Sequence, residues 1–264
     1  MAEKFRQKAE VLENSCIGTG IFSLLLRAER IADRAQPGQF VSVYSNDASR
    51  LLPRPISICE ADPSEGILRL VFRVAGRGTE EFSHLKEGDH VWLTGPLGNG
   101  FPLERAAGGK TVFLIGGGIG IPPLVQLARE LSELSPDAEL IPVLGFRDEQ
   151  FLTEELSEYG QVLIATEDGS AGTKGNVLDA IREKKLSADV IYACGPTPML
   201  RALKTYAEQS GTECWLSLEE KMACGIGACL SCVCASTQTD EHSRVHNKRV
   251  CTEGPVFLST DVQL

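Results

Sequence analysis

The feature that most constrains this 264-residue chain is a change of texture at Gly108-Gly109-Lys110. Before it, apolar residues come in short runs broken by turn residues: Val41–Tyr44, Ile56–Ile58, Leu68–Phe72 and His90–Leu93, the last leading into the turn-rich Thr94–Phe101. Short strands at that spacing predict an antiparallel barrel or sandwich. Within it, Thr79–Leu85 reads as one short helix with Thr79 as its N-cap. After Lys110 the pattern switches. Thr111–Ile115 is a continuous apolar run, as expected for a strand buried on both faces, and Leu124–Leu134 carries helical periodicity. Strand Leu140–Leu144, helix Phe151–Tyr159, strand Gln161–Ala165, helix Asn176–Lys184, strand Val190–Ala193 and helix Met199–Gln209 follow. That alternation predicts a doubly wound parallel sheet with helices on both faces. Beyond Trp215 no long helix or strand run is evident, and 235–248 is polar and turn-like.

The expected fold class is therefore a multidomain α+β and α/β chain: a β-barrel domain over 1–103, an α/β domain over 104–214 and a small segment over 215–264. The length suits two cores plus an appendage. Apolar residues make up 42% and charged residues 23%, the composition of a globular protein rather than a disordered one. A net charge of −10 opposes binding to nucleic acid or to an anionic membrane face. The start, Met1 to Lys8, lacks the apolar core of a signal peptide, and no segment approaches the ~20 apolar residues that span a bilayer. A cytoplasmic protein is expected.

Nine cysteines, an odd number, do not form an even disulfide framework. Cys224, Cys229, Cys232 and Cys251 have the spacing C-x4-C-x2-C…C of a plant-type iron–sulfur site. Gly225 and Gly227 in that loop let backbone N–H groups turn toward the sulfurs, which stabilises the charge of a reduced cluster. The competing reading is structural zinc, which more commonly uses two separated CxxC pairs. Cys234 lies two residues past Cys232 and is left out of the ligand set.

Ile115–Leu124 is a glycine-rich turn between a buried strand and a helix. Gly116, Gly117, Gly118 and Gly120 allow the backbone to approach a dinucleotide whose pyrophosphate meets the helix start, although the spacing is not GxGxxG and a tight βα connection is the plainer alternative. Cys194, Gly195 and Pro196 close a later strand at the carboxyl edge, where such folds bind ligands. In the first domain, Arg54, Pro55, Ile56 and Ser57 put a guanidinium and a hydroxyl beside a strand, and Gly76–Thr79 opens the short helix. Either feature alone is an ordinary surface arginine or cap. His84, His90, His242 and His246 share no spacing with carboxylates or a nucleophile, so hydrolytic chemistry has no support.

Together these motifs resemble the ferredoxin–NADP⁺ reductase superfamily across almost the whole chain. The resemblance implies FAD on the barrel. Arg54 would hold its pyrophosphate and Ser57 would lie near the isoalloxazine, with Pro55 and Ile56 in the same motif. Gly78 and Thr79 would form a second phosphate turn, and Val71, Phe72 and Arg73 the strand flanking the adenosine half. The motifs at Gly116–Gly120 and Cys194–Pro196 would take NAD(H). The tail, Glu219–Cys229 with Cys251–Phe257, is similar to the electron-transfer subunits of class 1B dihydroorotate dehydrogenases. That similarity implies a 2Fe–2S cluster on Cys224, Cys229, Cys232 and Cys251. It also implies an FMN-containing catalytic partner that oxidises dihydroorotate in pyrimidine synthesis, and a heterotetramer of two copies of each subunit. In this scheme FAD exchanges a hydride with NAD(H) and passes single electrons to the cluster, and the chain is an oxidoreductase subunit with no dihydroorotate site of its own.

NADP(H)-using relatives place a Ser-Arg pair after the third strand of the nucleotide domain, where this chain has Thr166-Glu167-Asp168. Two carboxylates would repel the extra phosphate, so NADH is expected, with Glu167 or Asp168 near the adenosine ribose. Two other readings stay open: the NADH-linked flavin subunit of a sulfide dehydrogenase, transhydrogenase or hydrogenase, and a zinc-stabilised nucleotide-binding regulator.

Overall fold

A computed structural model describes residues 3–239 and 244–264; His242 and part of the polar stretch over 235–248 lie outside them. The first half folds as a closed six-stranded barrel in the order β1-β2-β5-β4-β3-β6. Its strands are β1 (Phe5–Gly18), β2 (Ile21–Arg27), β3 (Phe40–Tyr44), β4 (Arg54–Asp62), β5 (Ile67–Arg73) and β6 (His90–Leu97), all paired antiparallel. Alternate residues such as Leu24, Leu26, Leu68, Leu70, Val91 and Leu93 point inward and are fully buried. At roughly 1.5–3 kcal/mol per buried large apolar side chain, this interior is the main stabilising term of the domain. The helix α1 (Glu29–Ala32) covers one end, and α2 (Arg77–Ser83) lies between β5 and β6.

The helix α2 begins two residues earlier than expected, and its N-cap is Gly76. Thr79 is its third residue. Its hydroxyl accepts from the N–H groups of Ala75 and Gly76 at 2.9 and 3.2 Å and donates to the Gly76 carbonyl at 3.0 Å. Thr79 thus braces the turn from inside the helix, the reciprocal role of a capping box.

The second half is built on a seven-stranded sheet in the order β10-β9-β8-β7-β11-β12-β15. Its members are β7 (Thr111–Gly117), β8 (Glu139–Phe146), β9 (Leu163–Thr166), β10 (Thr173–Lys174), β11 (Val190–Cys194), β12 (Glu213–Ser217) and β15 (Val256–Leu258). They are joined by α3 (Pro123–Leu134), α4 (Thr153–Ser157), α5 (Val177–Lys184) and α6 (Thr197–Ser210). Pro123 opens α3, where its missing N–H costs nothing, and Leu124, Leu127, Ala128 and Leu131 form the buried stripe at i, i+3, i+4 and i+7. Asn176 is the N-cap of α5 rather than its first residue: its Oδ1 accepts from the N–H groups of Leu178 and Asp179. The helix α4 is shorter than expected because Leu152, at φ 58°, already turns the chain before it.

The tail departs most from its sequence reading. The strand β12 runs across the expected 214/215 boundary, and β15 joins it antiparallel through Leu216↔Phe257, so one edge of the otherwise parallel sheet comes from the tail. A small hairpin of β13 (Val233–Ala235) and β14 (Asn247–Arg249) completes the segment.

Candidate functional site

The strand order reverses between β7 and β11, which pair through Cys194↔Gly116. Doubly wound sheets bind ligands in the crevice at such a switch point. Both glycine-containing motifs end there. A Cβ on Gly120 would collide with the carbonyl of Cys194 and would lie 2.6 Å from Gly195 Cα, so backbone meets backbone and only glycine fits. Pro196 is exposed, whereas Gly116, Gly117 and Gly120 are buried in the floor of the turn. The Cys194 thiol is pushed up to about 12 by burial, partly offset by the Ser217 hydroxyl on the adjoining strand. It is a neutral group at physiological pH.

After β9, Thr166 closes the next loop with its hydroxyl on Ala171 O at 2.8 Å. Asp168 accepts from the N–H and hydroxyl of Ser170 at 3.0 and 2.7 Å, and these bonds hold its carboxyl below the usual range. Glu167 is exposed, and its backbone N–H is bound to Phe146 O at 3.2 Å.

In the barrel, Arg54 and the turn at Gly78 come together. A Cβ on Gly78 would sit 2.5 Å from Arg54 Nε, so the guanidinium lies across the start of α2. One of its N–H groups is spent on Leu52 O at 2.6 Å. The rest of the fork lies against the opening turn of α2, a donor set that fits a pyrophosphate. Pro55, Ile56 and Ser57 continue along β4, with Pro55 opposite Ser42 and Ser57 opposite Phe40. Val71 and Phe72 are buried in β5, while Arg73 is exposed and reaches the glycine turn: a Cβ on Gly118 would lie 3.8 Å from its Nη2. The two halves of the chain therefore meet motif to motif.

The cysteine loop closes on the barrel. Gly225 and Gly227 have φ of +67° and +85°, which turns successive amides toward Cys224. Cys229 N–H donates to Cys224 Sγ at 3.3 Å. Burial alone would raise the Cys224 thiol, but the amides of Ile226, Cys229 and Ala228 and the Cys229 thiol hold it down to about 6. Cys251 is driven the other way by burial and by its contact with the Cys232 thiol, with Cys224 nearby. Cys224 therefore lies beside Cys229, and Cys251 beside Cys232. Four cysteines on a loop with inward amides are a donor set that fits an iron–sulfur cluster. Cys234 stands apart, buried on β13 opposite Lys248, with its thiol pushed up to about 11 by burial.

Three residues unremarked in the sequence position this loop. A Cβ on Gly225 would lie 2.7 Å from Ser42 Oγ, so the cysteine loop packs on the strand next to Arg54–Ser57. Asn99, after β6, donates to Glu253 O and Val256 O at 3.0 and 3.1 Å and accepts from Val256 N–H at 3.2 Å. Thr252, beside Cys251, packs on Gly227. Their partners are far away in sequence, and only the Gly-Asn-Gly turn around Asn99 hinted at a special position.

Two family models match the chain: the iron–sulfur cluster binding domain of dihydroorotate dehydrogenase B over residues 219–263 and the oxidoreductase NAD-binding domain over residues 114–205. The dihydroorotate dehydrogenase B (NAD(+)) electron transfer subunit of Bacillus velezensis is 43% identical over 258 residues, covering 96% of this chain and 97% of the relative. Its counterpart in Listeria monocytogenes is 43% identical over 257 residues, with 97% and 98% covered. Among solved structures, a chain of the NADH-dependent reduced ferredoxin-NADP oxidoreductase, studied for flavin-based electron bifurcation, superposes with a TM-score of 0.86 at 30% identity, covering 97% of this chain and 89% of that one. The ferredoxin reductase of carbazole 1,9a-dioxygenase, at TM-score 0.67 and 22% identity over 79% of this chain and 67% of its own, shares the fold.

Proposed function

Since this chain belongs to the family of dihydroorotate dehydrogenase B electron transfer subunits, we propose that it carries electrons between NAD(H) and an FMN-containing catalytic subunit that oxidises dihydroorotate. When bound, FAD supplies the conversion between a hydride and single electrons, and a 2Fe–2S cluster supplies the one-electron outlet.

The residues divide the work. Arg54 and the opening amides of α2, braced by Thr79, would hold the FAD pyrophosphate. Pro55, Ile56 and Ser57 would line its isoalloxazine, and Val71, Phe72 and Arg73 would flank its adenosine half. Gly116, Gly117, Gly118 and Gly120 with Cys194, Gly195 and Pro196 would receive the nicotinamide dinucleotide in the switch-point crevice. Glu167 and Asp168 are both exposed carboxylates that would repel a 2′-phosphate; Ser170 fixes Asp168 within its loop, which leaves Glu167 as the one proposed to face the ribose. Cys224, Cys229, Cys232 and Cys251 would ligate the cluster. The tail binds both halves and is best treated as a third unit, with 1–103 and 104–214 as the flavin and nicotinamide domains.

The observation that carries this reading is the seat of Gly225 on Ser42. Neighbouring strands lie about 4.8 Å apart, so the cysteine loop is one strand away from the flavin motif on β4. An outlet that close to the flavin suits transfer out of the chain. The test is visible absorbance of the purified complex: flavin and cluster bands that bleach with NADH are expected, and a colourless preparation with full metal content would overturn the reading. Mass spectrometry of the native complex tests the expected two copies of each subunit. The likeness to the bifurcating oxidoreductase favours one alternative, an electron-transfer subunit of a larger flavin complex, and the identity of the co-purifying chain decides between them. Among the described residues no helix is long and apolar enough to cross a membrane, and a free-thiol-rich, acidic chain suits the cytoplasm.

A further inference from the structure

The hydroxyl of Thr252 is buried and has no hydrogen-bond partner among the described residues. Buried hydroxyls are nearly always satisfied, so an orphan calls for an acceptor that the protein atoms do not supply. The backbone around it is already committed, with Thr252 N–H donating to Arg249 O at 3.1 Å. Its side chain packs into the ligand loop: a Cβ on Gly227 would lie 2.7 Å from Thr252 Cγ2 and 3.6 Å from its Oγ1. Gly227 sits midway between Cys224 and Cys229, and Thr252 follows Cys251 directly. The orphan hydroxyl is thus enclosed between both halves of the four-cysteine set. Gln7, Asn14, Gln126 and Thr153 also have an unpartnered buried oxygen, but each lies on β1 of the barrel or within α3 or α4 of the nucleotide domain, outside this loop.

We propose that Thr252 donates its hydroxyl to a sulfur of the iron–sulfur centre and thereby makes the centre easier to reduce. This rests on the reading of Cys224, Cys229, Cys232 and Cys251 as the ligands. Reduction adds one negative charge to the centre, and a donor aimed at a sulfur stabilises the charged form more than the oxidised one. The hydroxyl would turn about its own Cα–Cβ bond toward a sulfur of the centre while the Thr252 N–H stays bonded to Arg249 O.

The experiment compares wild type, Thr252→Val, Thr252→Ser and Thr252→Ala in the intact complex by potentiometric titration of the cluster's own visible and paramagnetic signals. Thr252→Val keeps the shape and removes the donor. At a fixed ambient potential its ratio of reduced to oxidised cluster is expected to fall about tenfold, a lowering of ~59 mV for a one-electron couple. Thr252→Ser keeps the donor and should stay near wild type, while Thr252→Ala should follow Thr252→Val and serves in its place if the valine chain does not assemble. A hydroxyl-free variant that carries full iron and sulfide at the wild-type potential overturns the proposal. So does a Thr252→Ser shift as large as that of Thr252→Val, which would assign the effect to packing of the methyl group. Iron and acid-labile sulfide in the wild type are measured first; their absence would reject the ligand reading itself, a different failure.

Discussion

Replacing Asn99 by alanine should loosen the cysteine segment while leaving the barrel and the nucleotide domain intact. The Asn99 side chain makes three hydrogen bonds to the chain around cis Gly254-Pro255: two donated to the carbonyls of Glu253 and Val256, one accepted from Val256 N–H. A neutral hydrogen bond contributes about 0.5–1.5 kcal/mol net, and Asn99 is exposed, so the lower half of that range applies and the loss comes to about 1.5–3 kcal/mol. The backbone bond from Asn99 N–H to Gly254 O at 2.8 Å survives the substitution. Local opening of the segment should therefore rise roughly 10- to 150-fold, because 1.4 kcal/mol is a factor of ten. Hydrogen exchange reads this directly at Leu218, whose N–H is bonded to Pro255 O at 2.9 Å. Its amide should exchange faster by that factor, while Ile115 and Tyr192 in the sheet centre keep their protection. Unchanged exchange at Leu218 and Val256 would refute the view that Asn99 ties the tail to the barrel.

Serine at Cys224, Cys229, Cys232 or Cys251 should abolish the cluster bands and transfer to the partner while sparing NADH-to-dye reduction, whereas Cys234→Ser should change neither; loss of the bands in Cys234→Ser would revise the ligand set. Gly120→Ala drives a Cβ into the Cys194 backbone, an overpacking of about 1–3 kcal/mol, and should raise the KM for NADH and lower the melting temperature together; wild-type values for both would reject the switch-point assignment. Glu167→Arg should improve NADPH relative to NADH more than Asp168→Arg does, read as the ratio of kcat/KM values, and the reverse order would move the discriminating role to Asp168. Because amides hold the Cys224 thiol down to about 6, its thiolate fraction grows as pH rises through that value. Alkylation of the metal-free chain at Cys224, followed by mass spectrometry, should accelerate up to about pH 6 to 7 and then level off. Cys194 and Cys214, both pushed up to about 12 by burial, should stay unmodified over that range; equal reactivity of all three would contradict the amide cradle.

The parts legible in the sequence are those whose chemistry is local. The spacing of Cys224, Cys229 and Cys232, the turn at Gly116–Gly120 and the run Arg54–Ser57 each form a pattern within a dozen residues, and the fold sets Arg54 against Gly78 and Gly120 against Cys194. Thr111–Ile115 reads as a buried strand because both faces are covered. The strand β1 carries no such local signal. It carries polar residues on its outer face, and irregularities between Val11 and Glu13 and between Cys16 and Gly18 break its alternation, so no period-two pattern persists along its length. Three-residue β15 is too short to carry any period, and its place is decided by pairing with β12, where Leu216 meets Phe257, 41 residues further along the chain. Ser42 and Thr252 carry no local signal, and Asn99 only its Gly-Asn-Gly turn, because their roles consist of contacts with distant segments.

The way the tail is fixed limits how its electron outlet can behave. It is held to the nucleotide sheet by β15 on β12 and by Lys204, whose ammonium donates to Ser259 O and Val262 O at 2.7 and 2.8 Å. It is held to the barrel by Asn99 and by the seat of Gly225 on Ser42. The two larger units are themselves joined by Arg69 of β5, which forms a two-point bridge to Glu155 of α4 at 2.6 and 3.0 Å while also bonding Glu60 at 2.9 Å. A hinge between barrel and nucleotide domain would have to break the Arg69 bridge and strain the tail at the same time. The distance from Arg54–Ser57, the proposed flavin motif, to the cysteine loop is set by the contact of Gly225 with Ser42 on the neighbouring strand, and an opening between barrel and nucleotide domain would leave that contact in place. A subunit that must accept a mobile dinucleotide at one face and pass electrons from a fixed point at another needs that separation of duties.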